Sequence, residues 1–174
     1  MKDILIVVDM QNDFINGALG SEQAEFIVPA VARKIKHFDG TIFVTMDTHY
    51  KDYLDTLEGQ KLPVIHCIDE SDGWKLNEKI EEALKDKDFE IIVKYTFASI
   101  ELAEVLQRMA SKDEIRITLV GLCTDICVAS NALLLRAYLP NTVIQVAENC
   151  CAGVTKEKHE AALETMRSCQ IDVI

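Results

Sequence analysis

Short, almost continuously apolar runs alternate along the chain with segments of helical periodicity. The runs are DILIVVD (3–9), TIFVTMD (41–47), FEIIVK (89–94), IRITLVG (115–121), TVIQVAE (142–148) and IDVI (171–174). Runs that lack strict apolar–polar alternation suit strands covered on both faces, as in a parallel sheet. Helical patterning falls at 23–38, 75–86, 99–111, 124–138 and 155–169, and Thr124 and Thr155 stand where N-caps belong. Five β–α alternations predict an α/β fold, a three-layer α/β/α domain over residues 1–174. Its six-stranded sheet is mostly parallel and its crossovers right-handed. No internal repeat, low-complexity segment or linker interrupts the pattern.

One connection departs from it. Residues 48–74 show no clear periodicity, whereas loops between strand and helix usually run about two to six residues. A loop of this length calls for a function, and this one holds His49 and His66, two of the four histidines.

Composition adds exclusions more than content. At 174 residues the chain fits one domain with a substantial core. Its net charge of −11 argues against nucleic acid, which needs clustered Lys and Arg. The N-terminus lacks a basic segment followed by an apolar one, and no apolar run approaches a membrane span. No membrane partner and a cytoplasmic location are therefore expected. The six cysteines are then expected to be reduced, mostly as small buried hydrophobes, with Cys150 and Cys151 packing beside the fifth strand.

Candidate chemistry gathers at one edge. Ligands of open α/β sheets bind beyond the carboxyl ends of the strands. Asp9, Asp47 and Lys94 close the first three strands, and VGLCTDIC (120–127) follows the fourth. A single charge there is ordinary solvation of a strand end; four polar groups on one edge point to a site. Cys127, three residues after Thr124, falls in a first helical turn, where free amides and the helix dipole favour a thiolate near neutral pH. Lys94 would favour the anion further, and Asp9 would take the thiol proton and return it to a leaving amine. His37 and His159 lie in helical segments away from the strand ends, so this chemistry needs no histidine. Two other readings of Cys127 are a buried structural thiol and a redox pair with Cys123, although C-x-x-x-C lacks thioredoxin-like spacing.

The ordered segments VVDMQNDF (7–14), TMDTH (45–49), PVIHC (63–67), VKYTF (93–97) and VGLCTDICV (120–128) resemble the nicotinamidase branch of the isochorismatase-like cysteine hydrolases. The similarity covers essentially the whole chain, including AENCCAGV (147–154) and the final helix. It implies a Rossmann-like topology and a triad of Asp9, Lys94 and Cys127. It also implies a cis peptide between Leu122 and Cys123, with the Cys123 and Cys127 amides facing a developing oxyanion. Asp47, His49 and His66 match metal ligands of such enzymes. Their additional His is missing from YKDYLDTLEG (50–59), where Glu58 can replace it. Carboxylate and imidazole suit zinc, or iron or manganese, and no organic cofactor is implied. Phe14 matches a wall for a flat ring; Leu62 stands where relatives carry tryptophan, and Trp74 comes only after His66.

The activity implied is hydrolysis of a small amide through a Cys127 thioester, with nicotinamide to nicotinate and ammonia as the leading case, in a homo-oligomer. The alternatives are a related amidase or carbamoyl hydrolase, an isochorismatase-type hydrolase, which has no need of the thiol, and a non-enzymatic binding module, which would be expected to have lost a triad residue.

Overall fold

The computed structural model describes residues 1–174. In chain order the elements are β1 (Lys2–Val8), α1 (Asn12–Ile15), α2 (Glu22–His37), β2 (Thr41–Asp47), a 3-10 turn (Tyr53–Asp55), α3 (Leu57–Lys61), α4 (Glu78–Leu84), β3 (Phe89–Lys94), α5 (Ile100–Ala110), β4 (Ile115–Leu122), a π turn (Thr124–Val128), α6 (Ala129–Tyr138), β5 (Val143–Ala152), α7 (Lys156–Ser168) and β6 (Asp172–Val173). The six strands form one sheet in the order β3-β2-β1-β4-β5-β6, and every neighbouring pair is parallel. The predicted six-stranded α/β/α architecture is therefore present, with a sheet that is wholly parallel.

Two cores account for the continuous apolar runs. Alternate residues of each strand point to opposite faces. Leu5, Val7, Ile42 and Val44 join Ile27, Val31 and Ile35 of α2 and Ile80 and Leu84 of α4 in one cluster. Ile4, Ile6, Val8 and Phe43 join Leu102 and Leu106 of α5, Leu135 of α6 and Leu163 and Met166 of α7 in the other. Thr155 caps α7 as its place in the sequence suggested, and Ser21 and Ser99 cap α2 and α5 in the same way, each accepting a backbone N–H through the side chain.

Three details differ from the sequence reading. The segment expected to be helical over 75–86 is helical only over Glu78–Leu84, capped by Asn77. β5 runs on to Ala152, so Cys150 and Cys151 lie within the strand and face the two separate cores. The segment 124–138 opens as a π turn, and its cap position is Cys123, with no side-chain cap. No helix is long and apolar enough to cross a membrane.

Candidate active site

The parallel register delivers the charged groups together: Lys94 is the partner of Asp47 across β3 and β2, and Val8 pairs with Thr45 and with Gly121. Immediately after β1, Asp9 takes a φ of 48°, a left-handed conformation that aspartate tolerates better than most residues. Its carboxyl group is fully buried. Thr45 Oγ1 donates to Asp9 Oδ1 at 2.7 Å, and Oδ2 lies 2.7 Å from Lys94 Nζ, short but off the hydrogen-bond axis. Lys94 Nζ also donates to Asp47 Oδ1 at 3.0 Å and lies 3.5 Å from Cys127 Sγ. A single buried ammonium thus stands among two carboxylates and a thiol.

The electrostatics of this cluster reverse one expectation. Burial would lower the pKa of Lys94, but Asp9, Cys127 and Asp47 together outweigh it and hold the ammonium charged. Burial raises Asp9 above the usual carboxylate range despite the pull of Lys94. At Asp47 burial acts in the same direction, yet the hydrogen bond to His49 and the Lys94 charge win and keep its carboxyl low. Burial first, then the Asp9 charge, push the Cys127 thiol well above its ordinary value, against the pull of Lys94. Burial in the turn therefore disfavours the thiolate, and it sets the thiol beside a carboxylate whose own pKa is raised.

The chain enters that turn through Gly121, whose φ is 118° and whose missing side chain matters: a Cβ there would collide with the Val8 carbonyl oxygen. The Leu122–Cys123 peptide is cis. Thr124, expected to cap the helix, instead shares a 2.8 Å hydrogen bond with His159 Nδ1. His159 was expected to lie apart from the strand ends; α7 packs against the turn and brings it there. Asn131, fully buried, donates to the carbonyls of Cys127 at 2.8 Å and Phe97 at 3.1 Å and accepts from Ser99 N at 3.0 Å. It ties the Cys127 turn to the segment carrying Phe97.

The long loop folds back over the same strand ends. Asp47, His49, Glu58 and His66 each offer a donor atom, and these atoms lie within 4.8 Å of one another. His66 Nδ1 stands 2.7 Å from Val64 O. A carbonyl can only accept, so Nδ1 carries the proton and the Nε2 lone pair is left to the cluster. Two carboxylates and two imidazoles, one with its tautomer fixed in this way, fit a divalent cation.

Several residues hold the loop that were not singled out individually in the sequence. Gln11 clamps Asp47 on both sides: Nε2 donates to Asp47 O at 2.8 Å and to Trp74 O at 2.9 Å, and Oε1 accepts from Asp47 N at 2.8 Å. Asp13 Oδ2 accepts from Cys67 N at 2.7 Å, next to His66. Tyr53 is buried with its ring 4.6 Å from that of His49 and 5.0 Å from that of His66, and its hydroxyl donates to Leu62 O at 2.9 Å. Gln11 and Asp13 lie inside the DMQNDF stretch, which was their only signal. Trp74 packs outside the cavity lining and donates to Thr48 Oγ1 at 2.8 Å.

Both groups open into one cavity of about 330 Å³, whose lining includes Phe14, Leu62, Phe97, Ile126, His66 and Cys127. The two predicted walls, Phe14 and Leu62, are there; Phe97 was not foreseen. The volume and mainly apolar lining suit a small organic molecule.

No curated protein sequence matches this chain. Among solved structures, the nicotinamidase/pyrazinamidase of Bacillus subtilis superposes with a TM-score of 0.85 at 28% identity, covering 99% of both chains. The pyrazinamidase of Pyrococcus horikoshii, solved in complex with zinc, gives 0.83 at 25% identity over 100% of this chain and 99% of its own. The N-carbamoylsarcosine amidase of Thermoplasma acidophilum gives 0.77 at 25% identity over 99% and 95%. The isochorismatase domain model matches residues 3–174, nearly the whole length, and the chain belongs to the isochorismatase family.

Proposed function

We propose that this protein is a cysteine amidase that hydrolyses a small amide, with nicotinamide as the leading substrate. The observation that carries the proposal is the buried contact set Asp9–Lys94–Cys127, which opens into the same cavity as the Asp47, His49, Glu58, His66 cluster. Similar structures that bear the names nicotinamidase, pyrazinamidase and carbamoylsarcosine amidase support an amide as the substrate class.

In the mechanism, Cys127 Sγ attacks the amide carbonyl as Asp9 takes the thiol proton, forming the C–S bond. The Cys123 and Cys127 amides receive the oxyanion. Asp9 gives its proton to the leaving nitrogen, the C–N bond breaks and ammonia departs, leaving a thioester. Asp9 then removes a proton from water, which attacks the thioester; the acid leaves and the proton returns to sulfur. Lys94 keeps Asp9 ionised between these transfers and compensates the negative charge that builds on sulfur. Asp47, His49, Glu58 and His66 would hold a divalent ion, with zinc the leading candidate, and that ion would supply a Lewis-acidic anchor for a ring nitrogen. Phe14, Leu62 and Phe97 enclose the ring and exclude water.

The test is ammonia release from a panel of nicotinamide, aliphatic amides and N-carbamoyl amino acids, with mass spectrometry of quenched enzyme. An acyl adduct on the Cys127 peptide is expected, and Cys127→Ala should abolish turnover. An adduct on Cys123, or full activity in the alanine variant, would sink the assignment. Preference for the N-carbamoyl compounds would favour the carbamoyl hydrolase reading. The same proposal places the enzyme in the cytoplasm, which its six free thiols support, as a homo-oligomer to be checked by light scattering.

A further inference from the structure

The turn that carries Cys127 has two possible windings, and the sequence by itself favours the one the structure does not use. Threonine before a helical run ordinarily serves as N-cap, its hydroxyl accepting the amide of the second or third residue onward. With Thr124 as cap, the third residue is Cys127. That arrangement would consume the Cys127 amide, which the proposed mechanism assigns to the oxyanion.

The observed winding avoids this. Cys123 takes the cap position, and its carbonyl accepts from Ile126 and Val128 rather than from Cys127. Ala129 N is shared between Ile126 O and Thr124 O, and the second of these bonds completes the wider π register. The Thr124 side chain, wholly buried, makes its one hydrogen bond to His159 Nδ1, 2.8 Å away on α7. Neighbouring contacts hold α7 against the turn. Asp125 Oδ1 accepts from Val154 N at 2.9 Å, and a Cβ on Gly153 would stand 2.8 Å from His159 N and 2.9 Å from Asp125 Oδ1. Only glycine permits that approach.

We propose that His159 is a positioning residue for the nucleophile turn: by engaging the Thr124 hydroxyl it holds the turn in the π register and keeps the Cys127 amide free. The inference rests on the catalytic reading for its consequence, but the choice of register stands on these contacts alone. π turns often occur at functional sites, where they set a backbone group that an α turn would bury in its own ladder. Removing the imidazole releases the hydroxyl, and the turn tightens to the capped α register.

The experiment compares His159→Ala, His159→Asn and the double variant Thr124→Val/His159→Ala with the wild type and Thr124→Val. His159 is half-buried and lines an open groove of about 510 Å³, so its truncation leaves no sealed cavity. In His159→Ala, kcat for the best amide should fall about 10²-fold, the scale of one lost oxyanion donor, with KM little changed. Hydrogen exchange at the Cys127 amide, followed by NMR, should slow at least about tenfold as that amide gains an acceptor. His159→Asn, whose side chain reaches the Nδ1 position, should recover most of both. In the Thr124→Val background, which has no hydroxyl to cap with, loss of His159 should cost far less and leave the exchange rate unchanged.

An unchanged kcat in His159→Ala, or a loss that Thr124→Val does not relieve and that leaves Cys127 exchange unaltered, would overturn the proposal. If the wild type hydrolyses no amide in the panel, the exchange measurement still decides the register, and only the catalytic reading fails.

Discussion

On one side of the cavity Asp9, Lys94 and the Cys127 turn sit directly at the ends of β1, β3 and β4; on the other, His49, Glu58 and His66 ride on a loop with little regular structure. The first side is placed by sheet register, which sets Lys94 beside Asp47 and Val8 beside Thr45 and Gly121. The second is gathered by individual side-chain bonds from Gln11, Asp13 and Tyr53. Asp47 belongs to both: Oδ1 meets Lys94 at 3.0 Å and Oδ2 meets His49 Nε2 at 3.0 Å. Backbone-placed groups should therefore fail through charge and chemistry when altered, with their neighbours left in position, whereas loop-placed groups should fail through loss of assembly.

The largest effect is expected at Lys94, because it pairs with both buried carboxylates. Lys94→Met leaves Asp9 buried without a counter-charge and Asp47 with only its loop-side partner His49, and should cost about 3–5 kcal/mol of stability, read as a lower urea midpoint. It should also remove most of kcat and slow alkylation of Cys127, since Lys94 lowers the thiol pKa. Stability close to that of the wild type would mean that the ion pairs are already well hydrated.

Asp9→Asn separates base from charge. Turnover should fall about 10²–10⁴-fold with the loss of the proton acceptor. Alkylation of Cys127 should move the opposite way. Asp9 raises the thiol pKa, so its neutralisation shifts the titration to lower pH and speeds iodoacetamide labelling at pH 7. Slower labelling in this variant would show that Asp9 is not what holds the thiol protonated.

Changes on the loop side should act through the metal. His49→Ala should lose the ion on dialysis more completely than Glu58→Gln, whose carboxamide oxygen still coordinates weakly; elemental analysis reads both. Chelation of the wild type should raise KM for nicotinamide more than it slows an aliphatic amide, and full nicotinamidase activity after chelation would contradict a coordinating role. The smallest effect is expected at Asp13→Ala, which frees the Cys67 amide beside His66. Metal affinity should drop about 10-fold or somewhat more, with Cys127 alkylation unchanged. A change in alkylation would mean that the two sides are not separable in the way their construction implies.

The sequence by itself determined the parallel sheet, because strands buried on both faces require almost continuous apolar runs such as Ile4–Val8 and Ile42–Val44 and give no other signal so plainly. It also determined which polar groups share an edge, because strand ends in a β–α repeat all fall on one side. The motifs named Asp9, Lys94, Cys127 and the four metal-ligand candidates; Cys127, Asp47, Glu58 and His66 line the cavity, and Asp9, Lys94 and His49 contact them from behind. Tertiary structure alone decided what those groups do to one another. The burial that pushes the Cys127 thiol up comes from elements far apart in the chain, so a local helix-terminus argument predicted the wrong direction. Likewise Thr124 carries a strong local preference to cap, and His159, 35 residues later, overrides it. Local propensity is set by neighbours in sequence; protonation and hydrogen-bond choice inside the core are set by neighbours in space, and only the packed chain supplies those.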